Sequence, residues 1–349
     1  MMAVSSRPVT GGVDTHKDAH VAAAVDHLGG LLGTESFPTT PAGYTALLSW
    51  LQGHGPIERV GVEGSGSYGS GLARFLTGAG VAVIEVNRPN RAARRTTGKS
   101  DTVDAIEAAR AALSGRAHAI PKAGTGTIEA IRMLRVARRS AIHSRTQCAN
   151  QIHALIDTAP EPLRARCAGQ KLPAVVQLAG QLEIGADLED PAACAPWTLR
   201  ALAQRWTFLT AEIDELDGHL ERLVTAAAPT LVAQFGVGPD TASALLVAAG
   251  DNPDRLRNEA AFAALCGVSP LPASSGKTIR YRLNRGGNRD ANNALWRITM
   301  VRMAHDPATR AYVERRTTEG RSKREIIRVL KRYIARQLFP HLQHLASPS

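Results

Sequence analysis

The order of apolar runs in the first hundred residues constrains the fold of this 349-residue chain more than any other feature. Val9-Thr10-Gly11-Gly12-Val13 runs into Asp14. Val21-Ala22-Ala23-Ala24-Val25 follows a short turn, and Leu31-Leu32-Gly33-Thr34-Glu35-Ser36-Phe37 follows the turn Asp26-His27-Leu28-Gly29-Gly30. Short apolar runs joined by polar or Gly-rich turns predict three strands in hairpin succession. Tyr44, Leu47, Leu48 and Leu51 then recur at helical spacing after Pro41. Arg59-Val60-Gly61-Val62 predicts a fourth strand, ending in Glu63. The turn Gly64-Ser65-Gly66-Ser67-Tyr68-Gly69 leads to a helix carrying Leu72, Phe75 and Leu76, and Val81 to Val86 predicts a further strand. A meander followed by alternating helix and strand makes a mixed sheet with helices beside it, an α/β domain.

That order is compatible with a ribonuclease-H-like fold. Asp14 would end the first strand and Glu63 the fourth, and strand ends in open α/β sheets are where sites assemble. A second acidic feature is Lys99-Ser100-Asp101-Thr102-Val103-Asp104-Ala105. Ser100 is a candidate N-cap for a helix whose apolar set is Val103, Ile106, Ala109, Ala112 and Leu113. Residues three apart share a helix face, so Asp101 and Asp104 point the same way and repel unless a cation lies between them. If the first and fourth strands are neighbours, Asp14, Glu63, Asp101 and Asp104 converge as candidate Mg²⁺ ligands. Each also has a plain structural reading. Asp14 suits a turn, Glu63 a solvated strand end, and the Asp101/Asp104 pair an acidic first turn favoured by the helix dipole. Gly64-Ser65-Gly66 lacks the Lys-Ser/Thr ending of a P-loop.

Net charge is +11 and the isoelectric point is near 10.0, which favours a polyanionic partner, most simply nucleic acid. Aromatic residues make up 4%, so phosphate contact is expected to outweigh base stacking. Arg88, Arg91, Arg94, Arg95 and Lys99 occur with no acid between Val86 and Asp101. They are candidate backbone-binding residues, a solvated loop being the alternative. Cys148, Cys167, Cys194 and Cys266 form no Cys-x-x-Cys pair, which argues against zinc ligation and disulfides. With no signal peptide and no membrane-length apolar run, an intracellular protein is expected.

Thr127 to Thr158 reads as one long helix, made basic on one side by Arg132, Arg135, Arg138, Arg139 and Arg145. A Pro- and Ala-rich stretch to Pro196 carries no clear pattern. Trp206, Leu209, Ile213, Leu216, Leu220 and Leu223 then alternate spacings of three and four, a heptad seam. That seam suits the 127–158 helix or a second copy of the chain, and dimerisation or a helical spacer is the favoured expectation. Phe235-Gly236-Val237-Gly238-Pro239 before a small-residue helix resembles a helix-hairpin-helix, in which the backbone around Gly236 and Gly238 would contact phosphate. A Gly-rich turn is the alternative. Ser274-Ser275-Gly276 lies among Lys277, Arg280 and Arg282, with Arg285, Asn288 and Arg289 close behind. A serine among cations and beside a glycine is a candidate nucleophile in a nucleic-acid-binding stretch, and also an ordinary Ser-Gly turn. Arg315, Arg316, Arg321, Lys323, Arg324, Arg328, Lys331, Arg332 and Arg336 make the C-terminal helices basic.

Taken together, these residues resemble the DEDD recombinases of bacterial insertion sequences, the bridge-RNA-guided transposases related to the Piv DNA invertase. Gly12-Val13-Asp14-Thr15-His16-Lys17, Val62-Glu63-Gly64-Ser65-Gly66-Ser67-Tyr68 and Lys99-Ser100-Asp101-Thr102-Val103-Asp104-Ala105 are similar to that family's acidic motifs, in order. Gly236-Val237-Gly238-Pro239 resembles its Pro-Gly-Ile-Gly hairpin, with Phe235 replacing the leading Pro. Gly267-Val268-Ser269-Pro270 with Ser274-Ser275-Gly276 resembles its serine block. Arg285-Gly286-Gly287-Asn288-Arg289 resembles its Arg-Gly-Asn element with one extra glycine. The resemblance implies a RuvC-like domain over 1–120, a helical coiled-coil linker over 121–227, and a mainly α transposase domain over 228–349. It also implies Mg²⁺ on Asp14, Glu63, Asp101 and Asp104, and attack by Ser275 (Ser274 lies beside it) to give a phosphoserine–DNA intermediate. The implied partners are donor and target double-stranded DNA, a non-coding bridge RNA that selects them by pairing, and further copies of the chain. These copies would form a dimer or a tetramer of two dimers in a bacterial, nucleoid-associated cytoplasmic setting.

Two other classes fit parts of the pattern. A junction-resolving nuclease would use the four acids on water and leave Ser275 structural. A non-enzymatic nucleic-acid-binding scaffold would have acids that do not converge.

Overall fold

The computed structural model describes residues 7–86, 100–252, 255–274, 281–282 and 284–343, in two compact units. One comprises Met1–Gly126 with Ala249–Arg257, the other Thr127–Ala248 with Asn258–Ser349.

The first unit is built on strands β1 (Val9–Thr15), β2 (Ala19–Val25), β3 (Leu31–Pro38), β4 (Ile57–Glu63) and β5 (Val83–Val86), in the order β3-β2-β1-β4-β5. The meander is antiparallel throughout, whereas β4 joins β1, and β5 joins β4, in parallel. This mixed α/β sheet is compatible with the ribonuclease-H-like expectation.

Alternation along β1 and β4 sorts the two faces of the sheet. Val13, Val60 and Val62 face helices α1 (Pro41–His54) and α2 (Ser70–Gly78), where they pack with Leu47, Leu51, Leu72 and Leu76. Gly12 and Gly61 face the other way, onto α3 (Asp101–Leu113). A Cβ on Gly12 would lie 2.2 Å from the Ala105 carbonyl oxygen, and one on Gly61 would lie 2.5 Å from that of Ala108. Helix and sheet therefore meet backbone to backbone. The inward stripe of α3 is Ala105, Ala108, Ala109 and Ala112, which corrects the sequence expectation in part. Val103, Ile106 and Leu113 are only half-buried, because branched side chains do not fit where strand glycines touch a helix. Ser100 caps α3 as expected, accepting from the Val103 amide at 3.3 Å.

The Ala249–Arg257 segment closes this unit by polar contact. Asn252 donates to the Pro121 carbonyl at 2.9 Å and accepts from the Ala123 amide at 3.2 Å, and Arg255 reaches the Ile120 carbonyl at 3.1 Å.

The second unit is mostly helical. Helix α4 (Thr127–Thr158) is followed by α5 (Glu161–Cys167), α6 (Leu172–Gly180) and α7 (Pro191–Ala227). Arg138 pairs with Asp217, Ala141 packs on Leu209 and Ile213, and Cys148 bonds the Leu202 carbonyl at 3.2 Å. As one number rises the other falls, so α4 and α7 are antiparallel. The heptad seam thus packs on α4 of the same chain. The patternless stretch before Pro196 forms α5, α6 and the start of α7, and Leu163, Cys167, Val175 and Ala179 bury Ile152 and Leu199 there. All four cysteines are free.

The basic side of α4 is engaged within this unit. Arg135 and Arg138 reach Asp240 at 2.9 and 3.5 Å, and Arg297 completes a three-arginine cage around it. Arg139 pairs with Asp290, Arg132 with Glu129 at 2.6 Å, and Arg145 lies 6.0 Å over the Trp206 ring. Burial alone would raise the Asp240 carboxyl. The Arg297 hydrogen bond and the charges of Arg135, Arg138 and Arg297 outweigh that and hold it below its ordinary value.

The remaining elements are α8 (Pro229–Val232), α9 (Pro239–Ala249), α10 (Glu259–Leu265), a ribbon of β6 (Leu271–Pro272) with β7 (Tyr281–Arg282), α11 (Arg289–His305), α12 (Pro307–Thr318) and α13 (Lys323–Gln343). Helix α13 buries Ile326, Leu330, Ile334, Leu338 and Phe339, the last 6.1 Å from the Phe262 ring. Among the described residues no helix is long and apolar enough to cross a membrane.

Candidate active site

The glycines that let α3 settle on the sheet also aim its acids. Asp14 shares strand parity with Gly12, and Glu63 with Gly61, so both carboxylates leave the sheet on the side that α3 covers. Val13 pairs with Val62 in the parallel register, which puts Asp14 and Glu63 at adjacent strand ends. The Thr15 hydroxyl ties these ends together by donating to the Glu63 carbonyl at 2.8 Å. Asp101 and Asp104 arrive from the first turn of α3, Asp104 buried and Asp101 exposed.

His16 lies between two of these acids. Its Nε2 is 3.1 Å from Asp14 Oδ2 and 3.4 Å from Asp101 Oδ1. One ligand atom from each of Asp14, His16 and Asp101 lies within 4.8 Å of the others. Burial pushes the Asp14 carboxyl above its ordinary value. Contact with His16 opposes the rise, and the charges of Asp101 and Asp104 add to it. Among the described residues the structure therefore brings together donor atoms of Asp14, His16 and Asp101, and that group does not include Glu63 or Asp104.

Residues 11–159 match the DEDD transposase model of the IS110 type, described as a transposase, and residues 229–314 match the model described as transposase IS116/IS110/IS902 family. The two matched segments fall in the expected order and together span most of the chain. This chain belongs to the IS110 family of DEDD transposases. The insertion element IS110 uncharacterized 43.6 kDa protein of Streptomyces coelicolor is 31% identical over 146 residues, which are 41% of this chain and 36% of that relative. The chain thus spans about a third of the length of that curated relative.

In this IS110-family chain the other candidate residues divide by position. Arg88, Arg91, Arg94, Arg95, Lys99, Ser275, Lys277 and Arg280 lie outside the described residues. In the Gly236–Gly238 hairpin, the Gly238 amide donates to the Thr241 hydroxyl at 3.1 Å. Gly236 takes φ +78°, with α11 so close that a Cβ would lie 3.4 Å from Arg302 and Val301. Asn288 caps α11, accepting from the Ala291 amide at 3.0 Å. Gly287 is required by contact, since a Cβ there would lie 2.2 Å from the Gly267 nitrogen. Arg285 and Arg289 line an open groove of about 560 Å³ with Trp296 and Lys331. Arg282 lines another of about 670 Å³ with Tyr281, Tyr333 and Arg328.

The sequence reading missed two features. His16 stands two residues beyond Asp14 at the end of β1, and its Asp-x-His spacing was the available signal. Tyr281 and Tyr333, 63% and 54% exposed, stand among arginines although overall aromatic content is low. Composition averages over the chain and cannot register a local pairing of rings and cations.

Proposed function

We propose that this chain is an insertion-sequence DNA transposase that breaks and rejoins DNA strands, with Asp14, Glu63, Asp101 and Asp104 holding Mg²⁺ and Ser275 as nucleophile. The observation that carries this reading is the meeting of Asp14 and Asp101 at one end of the sheet, in a chain with two segments matched by transposase models. A divalent cation suits the donor set: carboxylate oxygens and one imidazole nitrogen within 4.8 Å, with Asp101 and His16 open to solvent. Such an ion, when bound, neutralises charge on phosphate oxygens.

In the proposed reaction the Ser275 Oγ–P bond forms as one P–O bond of the DNA breaks. The hydroxyl proton passes to a base, and the released deoxyribose oxygen takes one up. Attack by a deoxyribose hydroxyl of a second duplex then frees the serine. Each exchange keeps one phosphoester for another, so no nucleotide triphosphate is consumed. Residues 1–120 serve in this reading as the RuvC-like metal domain, 121–227 as the helical linker and 228–349 as the transposase domain. Arg88, Arg91, Arg94, Arg95 and Lys99 in the first, and Gly236, Gly238, Lys277, Arg280, Arg282, Arg285, Asn288 and Arg289 in the last, contact nucleic acid. The partners are donor and target duplex DNA, a structured non-coding RNA that guides their choice, and further copies of the chain.

A denaturing-gel assay tests this reading. The full chain, Mg²⁺, RNA from the native flanking region and labelled junction DNA give a covalent protein–DNA adduct in wild type, absent from Ser275→Ala and Asp101→Ala. Cleavage without an adduct, unaffected by Ser275→Ala, replaces the transposase reading with a metal-dependent nuclease.

A further inference from the structure

His16 contributes a single atom, Nε2, to two carboxylates at once. A neutral imidazole nitrogen carries either a hydrogen or a lone pair, so one Nε2 makes one directional hydrogen bond, and that bond accounts for Asp14 at 3.1 Å. Sharing that N–H in a three-centre bond, or charging the ring, extends the contact to Asp101 at 3.4 Å on the same nitrogen. Three donors around one cation account for both contacts equally. With metal–ligand bonds of about 2.1 Å, neighbouring ligand atoms lie roughly 3.0 Å apart in an octahedron and roughly 3.4 Å apart in a tetrahedron. Both His16 separations fall in that span.

The chain arrives at this geometry by ordinary means. His16 directly follows the last residue of β1 and keeps the parity of Asp14, so its ring emerges on the face that α3 covers. Asp101 reaches it from the first turn of α3. The His16 and Asp101 side chains are 49% and 52% exposed, which leaves room for water or a phosphate oxygen to complete a coordination sphere.

We infer that His16 is a third protein ligand, donating Nε2 alongside Asp14 and Asp101, and that it gives this site a preference for transition-series divalent ions over Mg²⁺. The inference rests on the metal-site reading proposed above. Mg²⁺ takes oxygen ligands, whereas imidazole nitrogen suits the later first-row ions. An all-carboxylate site would carry a weaker bias of the same sign. The histidine therefore strengthens the selection, while the carboxylates supply the charge that attracts any divalent ion.

Direct metal binding to the full chain, without DNA and without an activity readout, tests the inference. Mn²⁺ bound to wild type shows nitrogen hyperfine coupling by pulsed electron paramagnetic resonance, and His16→Gln abolishes it. In competition against Mg²⁺, Co²⁺ is preferred by wild type, and the preference falls about tenfold or more in His16→Gln. His16→Asp, which restores an oxygen donor, binds Mn²⁺ without the nitrogen coupling, so a loss in the Gln variant is not a loss of folding. Mn²⁺ bound to wild type without nitrogen coupling, and displaced by Asp14→Asn, overturns the role of His16 and leaves the carboxylate site standing. No binding by wild type at millimolar Mn²⁺ or Co²⁺ overturns both.

Discussion

Gly12 and Ala109 touch through their backbones: a Cβ on Gly12 would lie 2.2 Å from the Ala109 amide nitrogen. This contact seats α3 on β1 and thereby delivers Asp101 and Asp104 to the strand end that carries Asp14. Gly12→Ala is expected to destabilise the first unit by about 3 kcal/mol, since the backbone must move to admit a methyl group. Urea unfolding measures this. Gly53→Ala serves as the comparison, because a Cβ there meets nothing within 4 Å and an alanine in a helix is favourable by up to about 1 kcal/mol. Equal losses in the two variants would rule out a role for close approach at Gly12.

Asp14 is predicted to cost the metal-free protein stability at neutral pH. Its carboxyl is raised above the ordinary value of 3.8, first by burial. For a raised carboxyl the fold favours the protonated form, so this stability is present below 3.8 and lost as pH rises through the folded value. Asp14→Asn should therefore raise the melting temperature by a few degrees near pH 7 in chelator, and the gain should vanish in acid. A lower melting temperature at pH 7 would contradict the assignment.

Asp240 carries the opposite sign. Its carboxyl lies below 3.8 in the fold, so the ion pairs contribute fully above that value and are lost as pH falls through the folded value. Asp240→Ala leaves Arg135, Arg138 and Arg297 without their shared partner and should cost about 3 kcal/mol near pH 7. As pH falls from 3.8 through the folded value the wild-type and variant stabilities should converge. Parallel curves across the whole acid range would mean that the cage contributes nothing.

Ile213→Ala tests the heptad seam. Ile213 is buried against α4 of its own chain, so the truncation should cost about 2–4 kcal/mol through the cavity it leaves. Light scattering after size-exclusion chromatography should find the oligomeric state unchanged. Dissociation of an oligomer by this substitution would show instead that the seam joins copies.

Much of the first unit was legible because its signals are local. Alternation and polar turns marked every strand of the sheet, and Ser100 marked the start of α3. The acids could be named for the same reason, each standing where a run ends. The heptad seam was legible as a seam but not as a partnership, since spacing states which residues are buried and not what buries them. The arginines of α4 read as a basic surface, yet Asp217, Asp240 and Asp290 neutralise Arg135, Arg138 and Arg139 from positions 79 to 151 residues away.

The succession of strands, the acidic strand ends, the capped acidic helix and the long amphipathic helices follow from the period and chemistry of neighbouring residues. The lateral order of the strands, the face of α3 that turns inward, the helix that covers the heptad seam and the place of His16 between Asp14 and Asp101 emerged only in the folded chain. Those outcomes depend on close approach between distant segments, set by glycines at Gly12 and Gly61 whose missing side chains carry no signal until the partner helix is in place.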